Sequence, residues 1–142
     1  MLEKNIREKV VVIDKIENWE NAVKLAAKPL LLDNSITENY VRSMVNNVKK
    51  FGAYIVINDT IALAHSRPED GVKKTGISLL KLDEGVDFGE NSSIRLIFIL
   101  AAKDSNSHID MITELVNMLQ DDEKLNRVLN SKTENEILEN LN

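Results

Sequence analysis

The chain contains two histidines, His65 and His108, and no cysteine. Histidine is the side chain whose ordinary charge change falls nearest neutral pH. His65 stands at a junction: the apolar run Ile61-Ala62-Leu63-Ala64 ends on it, and the polar stretch Ser66-Arg67-Pro68-Glu69-Asp70-Gly71 follows. That polar stretch cannot continue a buried strand, so the imidazole belongs at a strand end near the surface. Ends of sheet strands in α/β folds are frequent sites of chemistry. A neutral imidazole nitrogen there can attack a phosphoryl group and hold it as a phosphoramidate. Arg67, two residues on, carries a guanidinium that can pair bidentately with phosphoryl oxygens. The same placement also suits a structural histidine with its hydrogen bonds satisfied, and Arg67 equally suits pairing with Glu69, Asp70 or solvent.

His108 lies in Ser107-His108-Ile109-Asp110, which has the S-x-x-D form of a capping box. That spacing puts His108 in the first turn of a helix, where free N–H groups and the positive end of the dipole attract anions. A histidine simply tolerated at a helix start fits the spacing as well. Both histidines follow a predicted strand, directly or by a short loop. If those strands are parallel neighbours, both imidazoles come to the same sheet edge. A zinc site built on the two histidines needs further ligands. Asp104, Asp70 or Glu69 are available, but no metal-ligand spacing is evident, and no metal or cofactor is expected.

The elements that must position these residues are legible from periodicity. Lys9–Asp14 is a β-branched run that reads as a strand. Asn18 is an N-cap for a helix with Trp19, Ala22, Val23, Ala26 and Leu30 on one face, which Pro29 should disturb or end. Ser35 and Glu38 have capping-box spacing for a second helix carrying Tyr40, Val41, Met44 and Val48, stopped by Gly52. Tyr54–Ile57 and Ile61–Ala64 read as strands around the turn-like Asn58-Asp59-Thr60, and Gly76–Leu82 as another. Ser93–Ala102 is almost continuously apolar apart from Arg95, as suits a central strand covered on both faces. Arg95 reads as a sheet-edge or partner-paired charge. A helix follows with Ile109, Ile112, Leu115, Val116 and Leu119 inside, and two shorter helices near 122–130 and 133–141, the last with Thr133 and Glu136 at capping-box spacing. Helices surrounding a strand-rich middle predict an α/β sandwich: a mixed β-sheet between helices on both faces.

The chain's 142 residues suit one domain, spanning 1–142. With 43% hydrophobic and 29% charged residues it has the make-up of a globular protein. A net charge of -5 argues against a nucleic-acid partner, since no basic surplus is available to displace phosphate counterions. Nothing approaches the roughly 18 consecutive apolar residues of a membrane span, and the charged start MLEKNIREK lacks a signal-peptide core, so a cytoplasmic protein is expected.

Three stretches, GAYIVINDTIALAHSRPEDGVKKTGISLLKL, VDFGE and RLIFILAAKDSNSHIDMITEL, resemble the IIA component of the bacterial sugar phosphotransferase system. The type is the mannitol/fructose class, and the H-x-R-P-E-D-G-V form is nearest to its ascorbate branch. The resemblance covers roughly residues 5 to 141. The His65 motif and the A-A-x-D-x-x-S-H motif ending at His108 are specific together. The resemblance implies an α/β sandwich and a phosphoryl carrier without metal or cofactor. HPr would phosphorylate His65 at Nε2, and a IIB component would take the group on to a sugar imported through a membrane IIC component. It implies that His108 lies beside His65 and supports the phosphoryl group. Two departures stand out. Many relatives have proline before the active histidine, where this chain has Ala64. Mannitol-type members carry an arginine upstream of the active strand, where this chain has Lys49 and Lys50, leaving Arg67 as the candidate for that role. A regulatory IIA-like domain, whose phosphorylation controls partner binding, is the alternative that the same residues allow.

Overall fold

The computed structural model describes residues 2–52, 54–89, 92–104 and 109–141. In chain order these form α1 (Leu2–Ile6), β1 (Val10–Ile13), α2 (Trp19–Leu32), α3 (Glu38–Phe51), β2 (Ile61–Ala64), β3 (Gly76–Val86), β4 (Ile94–Ala101), α4 (Ile109–Leu119), α5 (Asp122–Leu129) and α6 (Glu134–Leu141). The strands make one mixed sheet in the order β1-β3-β4-β2. β1 runs parallel to β3, β2 parallel to β4, and the central pair β3–β4 is antiparallel.

Period-2 alternation divides the strand residues between two apolar layers. Ala62, Ala64, Leu80, Leu82, Ile97 and Ile99 face α2 and α3. Ile61, Ile77, Leu79, Leu96, Phe98 and Leu100 face the layer that contains Leu2 and Ile6 of α1 and the inner sides of α4, α5 and α6. The expected sandwich is therefore present, with β4 inside the sheet and apolar on both faces as its composition requires. Lys81, on the second face, is fully buried, and its Nζ lies 2.6 Å from Asp83 Oδ1. Arg95 is held by backbone: its guanidinium donates to the carbonyls of Leu82 and Leu129, both at 3.0 Å.

Several local expectations are corrected. Pro29 does not end α2, which runs on to Leu32. Packing of Leu30 at zero exposure carries the helix past the lost N–H, and the Asp33 N–H still reaches the Pro29 carbonyl at 3.1 Å. Ser35 does not cap α3. Its hydroxyl donates to Asp33 at 2.6 Å, and Thr37 is the N-cap, accepting from the Tyr40 N–H. Tyr54–Ile57 is not a strand. It makes one isolated bridge, Val56 with Ala62, because the Asn58 side chain accepts from the Thr60 and Ile61 N–H groups and folds the chain back at once. On α4 the buried residues are Met111, Leu115 and Met118, while Ile109 and Val116 are exposed. The helix is apolar on more than one side, and its contacts with α1 and α5 select the methionine-bearing side. The Thr133 cap on α6 holds, with the Glu136 N–H on the Thr133 hydroxyl, but Glu136 returns its carboxylate to the Lys132 N–H. The short α1, within a stretch read only as charged, is an element that its sequence did not announce.

Candidate functional site

β2 and β4 lie side by side and parallel, Ala64 opposite Ile99, so the chain leaves both strands at the same end of the sheet. This meets the condition set by the sequence for bringing the two histidine-bearing segments together. His65 follows β2 directly and is exposed. Ala102 and Asp104 follow β4 and line, with His65, Ser66, Pro68, Leu100 and Tyr40, a shallow cleft of about 270 Å³. His108, and with it the proposed Ser107–Asp110 capping box, lies outside the described residues.

The turn after His65 is built by Asp70. Its carboxylate accepts from the Ser66 hydroxyl at 2.5 Å, the Arg67 N–H at 3.2 Å and the Arg67 guanidinium at 3.2 Å. The Ser66 hydroxyl and Arg67 hold the Asp70 carboxyl below the ordinary aspartate range, so it is ionised at neutral pH. The 3-10 turn Pro68–Asp70 then leads to Gly71 at φ 135°, where a Cβ would collide with the Thr37 hydroxyl. Only glycine lets the loop come this close to the start of α3. There the Thr37 N–H donates to the Gly71 carbonyl at 3.0 Å, and Asn39 to the Asp70 carbonyl at 2.8 Å.

Tyr40 joins that loop to the sheet. Its ring is fully buried. Its hydroxyl donates to the Leu100 carbonyl at 2.7 Å and accepts from the Ser66 N–H at 2.9 Å, linking the ends of β4 and β2. Burial pushes the phenol up to about 12, so the donated proton stays in place. One turn pair further along α3, Asn47 donates to the Ser66 hydroxyl at 3.2 Å. Tyr54 stands edge-on to the His65 ring, centroids 6.1 Å apart at 77°. Among the described residues, neither ring nitrogen of His65 makes a hydrogen bond.

Arg67 is brought near His65 in sequence but is turned elsewhere. Its side chain is 74% exposed, paired with Asp70, and lines a separate polar groove with Ser43, Asn46, Asn47 and Lys50. Among the described residues, no group of three or more His, Cys, Asp or Glu side chains is placed to hold a metal ion. Sequence reading passed over Tyr40, Asn47 and Tyr54 as site residues, while the Arg67–Asp70 pairing it allowed is present. The one available signal was Tyr40, the lone hydroxyl-bearing aromatic on an otherwise aliphatic helix face.

The chain that carries this cleft matches known proteins in sequence and in fold. Residues 4–142 match the family model described as phosphoenolpyruvate-dependent sugar phosphotransferase system, EIIA 2. The ascorbate-specific EIIA component of Escherichia coli (strain K12) is 35% identical over 126 residues, which are 87% of this chain and 82% of that one. The solution structure of the mannitol-specific cryptic phosphotransferase enzyme IIA CmtB from Escherichia coli superposes with a TM-score of 0.91 at 32% identity, over 99% of this chain and 97% of the other. The mannitol enzyme IIA of Escherichia coli, in its complex with phosphorylated enzyme IIB, superposes with a TM-score of 0.80 at 30% identity, over 94% of each chain. With nearly its whole length matched in sequence and in fold, the chain belongs to the EIIA 2 family of the phosphoenolpyruvate-dependent sugar phosphotransferase system.

Proposed function

We propose that this chain is a phosphohistidine carrier, taking a phosphoryl group from HPr on His65 and passing it to a IIB component that serves uptake of an ascorbate-like sugar. The observation that carries the reading is the exposed His65 imidazole at the joint end of β2 and β4, with ring nitrogens left unengaged by the described residues. A neutral ring nitrogen attacks phosphorus, and the P–N bond forms as the donor's bond to phosphorus breaks. On the way out the P–N bond breaks as the acceptor group of IIB bonds to phosphorus. Transfer between two proteins needs a nucleophile that both can reach, and a shallow cleft supplies that. Catalysis is then mostly positioning and charge stabilisation. The complex of the Escherichia coli mannitol IIA with phosphorylated IIB supports the onward step, and the ascorbate-specific relative supports the branch. No helix among the described residues is long and apolar enough to cross a membrane. Exchange with HPr assigns the chain to the cytoplasm.

The direct test is incubation with phosphorylated HPr, then mapping of the group. One acid-labile, base-stable phosphoryl group on His65 is expected, and a group on His108 would reverse the assignment.

Arg67 and His108 have supporting roles in this reading. Arg67→Ala should slow transfer or weaken partner binding about tenfold, the loss of one charge-assisted contact with the phosphoryl group or a partner, with stability little changed because the side chain is 74% exposed. Wild-type kinetics with both partners would reduce Arg67 to a loop brace for Asp70. His108→Ala should still load at His65 but release to IIB on the order of a hundredfold more slowly, as for one lost donor to a developing charge. His108→Gln, keeping an N–H, should recover part of that rate. Equal release rates for wild type and His108→Ala would exclude the role.

A further inference from the structure

We propose that Tyr54 is a positioning residue for the His65 imidazole, a role that rests on His65 as the phosphoryl acceptor. An exposed side chain at a strand end samples several staggered rotamers unless something restricts it. Hydrogen bonds from the described residues do not restrict this ring. Tyr54 does: its ring meets the imidazole at 77° with centroids 6.1 Å apart, an edge-to-face geometry within the range where aromatic pairs attract.

Tyr54 is itself held on two sides. Phe51 meets its far side at 6.3 Å and 88°. The Tyr54 hydroxyl comes within 3.5 Å of the His65 carbonyl oxygen. Asn47 donates to Ser66 Oγ and so sets the residue after His65. The Tyr54 phenol, ordinarily protonated at neutral pH and raised further by partial burial, adds no negative charge beside an incoming phosphoryl group. Rotation of the imidazole about χ1 or χ2 would break the edge contact, so the ring plane, and with it the direction of the attacking lone pair, is set before a donor arrives. Near-attack alignment of this kind acts on the chemical step more than on docking.

The test compares Tyr54→Phe, which keeps the ring, with Tyr54→Leu, which removes it. In the unphosphorylated protein, NMR of the His65 ring should show contacts to the residue 54 ring in wild type and Tyr54→Phe. In Tyr54→Leu the coupling constants of His65 should become rotamer-averaged. With phosphorylated HPr as donor, kcat should fall about two- to tenfold in Tyr54→Leu, the worth of one aromatic pair, with KM nearly unchanged, and Tyr54→Phe should restore it. An unchanged kcat in Tyr54→Leu, or a raised KM at constant kcat, would overturn the proposal and make Tyr54 a docking contact. A single unaveraged His65 rotamer in Tyr54→Leu would overturn it as well. Should wild type take no phosphate on His65, the carrier reading fails while the rotamer measurement still decides whether Tyr54 orients the ring.

Discussion

His65→Ala is expected to abolish phosphoryl acceptance from HPr and to leave the fold intact. The effect should be the largest of any single change, because it removes the atom that bonds to phosphorus. The Ser66 hydroxyl is engaged with Asp70, and any group taken instead by Asp104 in the cleft would be a base-labile acyl phosphate, distinguishable from base-stable phosphohistidine. Stability should change by under about 1 kcal/mol, as for an exposed residue outside the core, since among the described residues the His65 ring gives up its contact with Tyr54. Two measurements check this: label transferred from HPr, and the midpoint of denaturant unfolding. Full labelling of the variant would remove His65 from the mechanism. A collapsed midpoint would show a structural histidine in its place.

Tyr40→Phe should have the second largest effect, on stability and transfer together. The substitution keeps the ring and deletes a hydroxyl that both donates to Leu100 and accepts from Ser66. It strands a buried carbonyl and an N–H at the mouth of the cleft, at about 1–3 kcal/mol each, so a loss of about 2–6 kcal/mol is expected. Phosphoryl acceptance should slow as well, because the residue following His65 loses its tie to the sheet. The wild-type hydroxyl carries a pH signature. Its proton leaves at about 12 in the folded chain against an ordinary value of 10.0. Stability from this group is complete below about pH 10, falls as pH rises from there through about 12, and is gone above that range. An unchanged unfolding midpoint in Tyr40→Phe would mean that water replaces the hydroxyl and that the loop does not depend on it.

How far these features could be read in advance depended on how local their causes are. The apolar run ending at His65, the near-continuous apolarity of Ser93–Ala102 and the Asn18 cap each follow from neighbours in sequence, and each was legible. The β2–β4 pairing, which joins residues more than thirty positions apart, was not. The misreadings have tertiary causes. Pro29 is overridden by the burial of Leu30. Ser35 is drawn to Asp33, which leaves Thr37 to cap. Tyr54 looked like the start of a strand because Tyr-Ile-Val-Ile has strand composition, and only the Asn58 turn and the position of His65 make it a ring partner. Asp70 was open as a partner of Arg67, but its hold on Ser66, four residues back through the turn, was not.

The strand order has a consequence for synthesis. β2 pairs with β4, and its other side is met only by the bridge from Val56. β3 lies between them in the chain, so Ile61–Ala64 has no full-length neighbour until Ile94–Ala101 has left the ribosome. Helices α2 and α3 can form on the nascent chain well before that, since their contacts are local, whereas long-range strand pairing waits for its partner. The His65 end of the sheet is thus among the last parts of the molecule to be assembled. An incomplete chain, although it already contains the histidine, does not yet present the joined strand end on which a donor could use it.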